Sequence, residues 1–567
     1  MNGILKNNIL PVCIMLASLA LGLWGINYDL PHIYTTEEYK VVNYALRFGT
    51  GDLNPHFFNY PSLYLYFTFF VCGIYFIIGR IAGAFSSTQE FAISFVKDPS
   101  GVYLTLRIFS VLWTTGAALL VYKTGKLLFN KKAGLCAAAL FTCIPSVLIS
   151  AHEIRPSQPS LFFLVLSFYF LALFYMEGKN KNFYLSCISL GISISIFYNA
   201  IPMVVMLPVV YFVRNKKIAA LSDARLWLGL SIVLITSIAG TPYSVLDFAT
   251  FRRDFFAHAS TPPASILINI REVFSNILFM GNRGHVMPPQ GPPFAGMLCL
   301  AGTIWLLSKG FLLMVPVALF SIPVVFYHSP GIGYLFPAFP FLALAGGWLA
   351  DKLAGKIKSS SLSTPAFILA FLIVLTPSVI LCLKTGYIYT LKDNRTIAKE
   401  WIYKNLPHGA AVLVDLYPFS PPIKETKTQL ERLYDRAALL NHYKKEYLKL
   451  LLEAHPDGNY GYEIYRVYRP PAEVSGIKYV VEEAEKMQDL VDVAPGFKYL
   501  RKKGIRYLVL NSWARHSGLN SRDKGIVDFY TGVEKNARIL KQFPDKTDGG
   551  KRQTAPSKGP EIYVYEL

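Results

Sequence analysis

Two adjacent carboxylates, Glu37 and Glu38, lie in the stretch Tyr34-Thr-Thr-Glu-Glu-Tyr-Lys40, just past the first apolar segment of the chain. A carboxylate within hydrogen-bond reach of a poor nucleophile can take its proton as it attacks. Ionisable groups at the mouth of a membrane bundle are expensive to keep dry, and so point to function. Thr35-x-x-Glu38 also reads as a capping box with acids in the first helical turn, and a cap would orient the neighbouring base. Lys40 is placed either to hold an anion or to pair with Glu37 at i,i+3.

Other polar groups stand between apolar runs. Ser150-Ala-His-Glu-Ile-Arg-Pro156 offers His152 and Arg155; the arginine suits a phosphate, the headgroup interface or Glu153. The segment 242–291 holds Arg252, Arg253, Asp254, His258, Arg283 and His285. These would suit an anionic lipid, or the polar side of an interfacial helix. Tyr60, Tyr198 and Tyr334 can hydrogen-bond a sugar or phosphate, although tyrosine is also at home at a membrane interface.

What must position these groups is read from composition. The 567 residues are 53% hydrophobic and 16% charged, with mean hydropathy +0.36. That texture marks a polytopic helical membrane protein up to about residue 384, followed by a charged, mixed region read as a soluble domain over 385–567. The net charge of +20 does not require nucleic acid, because many of the membrane-domain cations fall in short loops between apolar runs, as in cytoplasmic loops facing anionic lipid. All seven cysteines lie in or beside apolar stretches, so no disulfide framework is implied in the tail.

Apolar runs near 9–26, 102–122, 133–150, 160–176, 183–198, 200–213, 224–241, 293–308, 311–327, 334–350 and 364–383 make about eleven crossings, with the N-terminus inside and the C-terminus outside. A further run at 61–79 is long enough to cross. Crossing would put Lys126, Lys131 and Lys132 outside, so it is read as lying in the outer interface. The first helix is expected to be retained rather than cleaved as a signal. Segments 27–60, 151–159, 242–291 and the tail then share the outer face, where the chemistry belongs. In the tail, helices are expected over 394–405 and 497–503. Strands are expected over 411–415, 477–481, 505–510 and 562–564, making a small α/β domain, with a polar loop at 545–560.

The block Glu37-Glu38 with Gly51-Asp-Leu-Asn-Pro-His-Phe-Phe-Asn-Tyr-Pro61 resembles the first outer loop of the family 39-like, GT-C-fold glycosyltransferases. These include protein O-mannosyltransferases and aminoarabinose transferases. The stretches 150–156, 240–247, 334–341 and 394–402 fit the same pattern in the same order. The resemblance implies transfer of a sugar from a polyprenyl-phosphate carrier to a lipid, glycan or protein acceptor outside the membrane, with inversion. It makes Glu37 the catalytic base, where the family has Asp, with Glu38 beside it. Lys40, His152, Arg155 and His258 become groups for the donor phosphate, and Tyr60, Tyr198 and Tyr334 contact substrate.

The chain departs from the family where an acid is replaced by Ser157-Gln158, a Lys by Phe197 and an Arg by Gly333. A lipid-saccharide transporter and a silent glycolipid-binding relative are therefore alternatives. No acidic cluster demands a metal, although two carboxylates could hold a divalent ion.

Overall fold

The computed structural model describes residues 2–216, 222–257, 265–281, 292–326, 332–355, 363–415, 419–442, 444–456, 458, 460–468, 487–544 and 557–567. The chain forms two compact units. The first comprises Met1–Ile26, Glu37–Ile74 and Tyr103–Tyr387; the second comprises Asn27–Thr36, Tyr75–Val102 and Ile388–Leu567. Composition suggests a single cut near residue 384, whereas the second unit also takes in two early segments.

The first unit is helical. Its elements begin with α1 (Asn2–Leu23), α2 (Thr36–Arg47) and α3 (Leu63–Ile81). After α4 (Thr88–Lys97), which is in the second unit, follow α5 (Ser100–Leu128), α6 (Lys131–Thr142), α7 (Pro145–Ala151), α8 (Ser157–Glu177), α9 (Asn180–Ile196) and α10 (Met206–Asn215). Then come α11 (Ala224–Gly240), α12 (Tyr243–Leu246), α13 (Phe248–Ala257), α14 (Ile266–Leu278), α15 (Phe294–Ser308), α16 (Val315–Val325), α17 (Ile332–Leu335), α18 (Phe339–Ala354) and α19 (Ser363–Thr390).

Each apolar run read from the sequence is largely helical. Among the described residues, four helices are individually long and apolar enough to cross a membrane: α3, α5, α8 and residues Pro365–Thr390 of α19. The pair α6–α7, bent by 63°, would make a fifth. Pro145 at the first turn of α7 suits the bend, since its missing N–H is not needed there. Helix α3 is an unbroken 19-residue helix, so length gives no reason to confine it to the interface, where the charge pattern had placed it. The run at 200–213 is not a regular span: a 3-10 segment, Tyr198–Val205, precedes the ten-residue α10.

Small residues let these helices approach. A Cβ on Gly347 of α18 would stand 2.5 Å from Ala133 O and from Ala137 N of α6. Between α8 and α9, Ser160 meets Ser193 and Ser167 meets Ser186, each with hydroxyl oxygens 3.0 Å apart. Close backbone packing and interhelical hydroxyl bonds are how apolar helices associate when surrounding lipid is as apolar as they are.

The second unit is built on one sheet. Its strands are β1 (Ala411–Val414), β2 (Glu463–Tyr468), β3 (Leu490–Asp492), β4 (Tyr507–Asn511), β5 (Arg538–Phe543) and β6 (Ile562–Glu566), in the order β3-β2-β1-β4-β6-β5. The first four are parallel, and β6 joins β4 and β5 antiparallel. Besides α4, six helices accompany them: α20 (Asn394–Asn405) before β1; α21 (Lys427–Leu439) and α22 (Lys445–Glu453) between β1 and β2; α23 (Phe497–Lys502) before β4. Helices α24 (Ser512–Leu519) and α25 (Lys524–Asn536) then lie between β4 and β5. The α/β reading holds, and the strands near 411, 505 and 562 fall within two residues of expectation. Residues 477–481 and 545–556 lie outside the described residues.

Asp415 closes the end of β1, accepting from Asn511 N at 2.7 Å, Asn511 Nδ2 at 3.0 Å and Tyr530 Oη at 2.5 Å. The early segments are held by similar polar contacts. Gln89 Nε2 of α4 donates to Glu453 Oε2 at 2.7 Å. Lys558 Nζ meets Asp29 Oδ1 at 2.7 Å, and Tyr34 Oη lies 2.8 Å from Thr396 Oγ1.

Gly347→Ala is expected to destabilise the protein by about 1–3 kcal/mol or more, because the clash is with backbone that cannot rotate away. Gly73→Ala, which meets nothing within 4 Å, is expected to be neutral. Thermal unfolding in detergent compares the two; equal midpoints would contradict the close α6–α18 packing.

Candidate functional site

The site is organised around α2. Its acids sit in the first turn, where the helix N-terminus favours negative charge. Successive residues on a helix point about 100° apart, so Glu37 and Glu38 enter different environments.

Glu38 faces inward and is fully buried, as is its partner Arg107 of α5. Arg107 Nε meets Glu38 Oε1 at 2.8 Å and Nη2 meets Oε2 at 2.7 Å, a bidentate pair. The Ile154 backbone N–H donates to Glu38 Oε1 at 3.1 Å, and Arg107 Nη1 donates to Ile26 O at 3.0 Å. This corrects two expectations. Glu38 is not an open catalytic carboxylate, and it does not reach back to close a capping box. With both oxygens taken by Arg107, the acidic pair is not two free carboxylates for a divalent ion. Among the described residues, no group of three or more His, Cys, Asp or Glu could hold a metal.

His152 is also reassigned. It is fully buried, with Nδ1 2.8 Å from Leu148 O and Nε2 3.0 Å from Trp24 O. Engaged on both ring nitrogens, it ties α7 to the end of α1 instead of facing a phosphate. Arg155 pairs with Glu153 and remains part-exposed. Burial pushes the Glu153 carboxyl up and Arg155 opposes the shift, while the nearby Glu38 charge adds to it.

Glu37 is half-buried and accepts a hydrogen bond from Tyr60 Oη. The Tyr60 ring stands edge-on to Phe57 at 5.5 Å and to Phe197 at 6.1 Å, so packing fixes the donor that fixes the carboxylate. Lys40, half-buried on the same helix, has no ion-pair partner among the described residues. The i,i+3 pair with Glu37 is not formed.

The loop that carries Tyr60 is pinned to α12–α13. Asn54 Nδ2 donates to Asp247 Oδ2 at 2.9 Å, and the Phe58 N–H donates to Asp254 Oδ2 at 3.0 Å. His56 Nε2 meets Asp52 Oδ2 at 2.8 Å. The Asn54 backbone N–H, then His56, hold the Asp52 carboxyl below its ordinary range; the Asn54 side chain does the same for Asp247. Arg253 is spent on Asp254, at 2.8 Å.

Tyr198 lies beside this edge, its ring 5.1 Å from Phe255 and its buried hydroxyl without a hydrogen-bond partner among the described residues. A buried hydroxyl left unpaired is costly, and a substrate oxygen would relieve it. Tyr334 packs against the hydrophobic core. His258, Arg283 and His285 lie outside the described residues.

Arg107 is the functional residue that sequence reasoning missed. It is the one basic residue in the first eighteen of α5, and an arginine inside an apolar span is by default a residue with a named partner.

Glu38→Gln or Arg107→Met alone is expected to cost about 3–5 kcal/mol, because each strands a buried charge. The double variant Glu38→Gln with Arg107→Met should cost less than the sum of the two single variants. Unfolding midpoints of the three variants in detergent test this, and additive losses would deny the coupling.

A sequence model described as the dolichyl-phosphate-mannose-protein mannosyltransferase family matches residues 100–241. No curated protein matches the chain. Among solved structures, ArnT from Cupriavidus metallidurans in the apo state aligns with TM-score 0.49 and 13% identity, over 98% of this chain and 97% of that one. The same protein bound to undecaprenyl phosphate gives 0.46 and 12%, with the same coverage. The Archaeoglobus fulgidus oligosaccharyltransferase tethered to an acceptor peptide gives 0.47 and 12%, over 93% of this chain and 71% of that one. Over residues 100–241 the chain resembles the dolichyl-phosphate-mannose-protein mannosyltransferases, a GT-C glycosyltransferase family.

Proposed function

We propose that this protein is an integral-membrane glycosyltransferase that moves a sugar from a polyprenyl-phosphate carrier to a hydroxyl acceptor on the extracytoplasmic side, with Glu37 as general base. The observation that carries the reading is the division of labour within the acidic pair: Glu38 is locked by Arg107, while Glu37 stays half-buried with one phenol donor. A base needs a fixed position and an open oxygen, and Glu37 has both. The mannosyltransferase family match supports a polyprenyl-phosphate donor.

In the proposed step the acceptor hydroxyl gives its proton to the Glu37 carboxylate as its oxygen bonds to the anomeric carbon. The bond from that carbon to the carrier phosphate breaks, and the phosphate leaves with the electron pair. Attack opposite the leaving group inverts the anomeric centre. Lys40, an ammonium with no described partner, and Arg155 are the cations assigned to the departing phosphate. Tyr198 offers its hydroxyl to the sugar or phosphate. The membrane is proposed to be the plasma (inner) membrane, with N-terminus inside and tail outside, following the basic loops.

A silent glycolipid-binding relative would have no use for a positioned free carboxylate, so the Glu37–Tyr60 pair favours the enzyme.

Purified protein supplied with a panel of polyprenyl-phosphate sugars tests the reading. Glu37→Gln is expected to lower kcat about 100- to 10,000-fold with donor binding retained. Tyr60→Phe is expected to lower kcat about tenfold at unchanged donor KM, the loss of one positioning hydrogen bond. Lys40→Gln should raise donor KM. Full activity in Glu37→Gln would remove it as base.

A further inference from the structure

The second unit gathers basic groups whose neighbouring acids are already committed. Lys399 Nζ of α20 lies 3.1 Å from His32 Nε2. An ammonium has only donors, so the imidazole accepts through Nε2 and keeps its proton on Nδ1. One turn along α20, Tyr403 Oη accepts the Lys424 backbone N–H at 2.8 Å, which brings the 424 segment beside Lys399. Lys399 also stands 5.8 Å from the Tyr403 ring centroid.

The adjacent acids point elsewhere. Glu400 Oε2 holds Lys392 Nζ at 2.6 Å, and Glu425 Oε1 faces Arg466 Nη2 at 3.9 Å. Neither Lys399 nor Lys424 has a carboxylate partner among the described residues. Lys399 is half-buried and Lys424 exposed, and their like charges, without a counter-ion, repel one another, so that an anion would relieve them.

We infer that His32, Lys399 and Lys424 form a binding site for a tetrahedral dianion, the phosphate group of an acceptor substrate. Only the assignment to the acceptor rests on the transferase reading; the anion site stands on these side chains alone. Two ammoniums and an imidazole that can take up a proton match the charge and donor needs of a phosphate monoester.

The surrounding charges agree. Burial first, then the Lys399 and Lys424 ammoniums, pull the His32 imidazole down to about 4, against smaller opposing effects of Glu400 and Asp393. Burial and the Lys424 charge also hold Lys399 below its ordinary range, with Glu400 opposing. The imidazole is therefore neutral at pH 7, and a bound dianion favours its protonation. Binding should tighten as the pH falls.

The test uses full-length protein in uncharged detergent, with calorimetric titration of sulfate, a tetrahedral ion that stays dianionic between about pH 8 and 5. Wild type is expected to bind more tightly at the lower pH. Lys399→Gln with Lys424→Gln should weaken binding at least about tenfold, while Lys404→Gln, an exposed change on the same helix, should leave it unaltered. His32→Gln should remove most of the pH dependence. Dodecyl phosphate should compete with sulfate and dodecyl maltoside should not. Equal sulfate affinity in wild type and the double variant would overturn the site. Displacement of sulfate by phosphatidylglycerol nanodiscs, but not by phosphatidylcholine nanodiscs, would overturn the acceptor assignment in favour of a membrane headgroup. None of these readouts requires sugar transfer, so a failed activity screen leaves the anion site standing on its own result.

Discussion

A guanidinium inside an apolar helix has to be matched by a carboxylate and by acceptors for its remaining N–H groups, and here that requirement gathers several segments at one point. Arg107 takes both oxygens of Glu38 and the carbonyl of Ile26, and Glu38 takes the N–H of Ile154. The end of α1, the start of α2, α5 and the turn after α7 thereby share one fully buried ion pair. Replacing such a pair with apolar groups can be neutral for stability, whereas removing one partner is severe. A pair of this kind therefore acts chiefly by specifying geometry. What it specifies is the direction of the first turn of α2, and hence where Glu37 points.

The same logic runs through the loop that carries Tyr60. Residues 51–60 contain no regular element, yet Asn54 and Phe58 attach them to Asp247 and Asp254, and His56 braces them internally on Asp52. A loop held by side-chain acceptors at successive positions can present Tyr60 in one orientation, and edge-on ring contacts with Phe57 and Phe197 complete the restraint. Tyr60 in turn is the donor on Glu37. As the proposed base, a carboxylate preorganised in this way would leave less to rearrange during reaction. One of the positions at which the chain departs from the family pattern, Phe197, takes part in this restraint through its ring contact with Tyr60.

The second unit shows that a boundary in composition is not a boundary in packing. Residues Asn27–Thr36 and Tyr75–Val102 precede most of the apolar runs, yet they pack with the sheet-bearing tail. Asp29 with Lys558 and Tyr34 with Thr396 are contacts across more than 360 residues of chain, beyond the reach of any periodicity or local propensity. Strands β1, β4 and β6, by contrast, are legible as short apolar runs beside amphipathic helices, whereas β2, β3 and β5 are not anticipated from the sequence.

Composition and spacing by themselves determined that the chain is a polytopic helical membrane protein with an α/β tail. Hydrophobic periodicity is a local signal that survives without knowledge of partners. What each polar residue does was decided by tertiary structure, because neighbouring side chains on a helix face different surroundings. Glu37 and Glu38 are indistinguishable as letters, and only the position of Arg107 separates a free carboxylate from a locked one. His152 reads as a phosphate ligand in a loop and proves to be a buried tie between carbonyls. The grouping of His32 with Lys399 was invisible for the same reason: two residues 367 apart become neighbours only when the chain has folded.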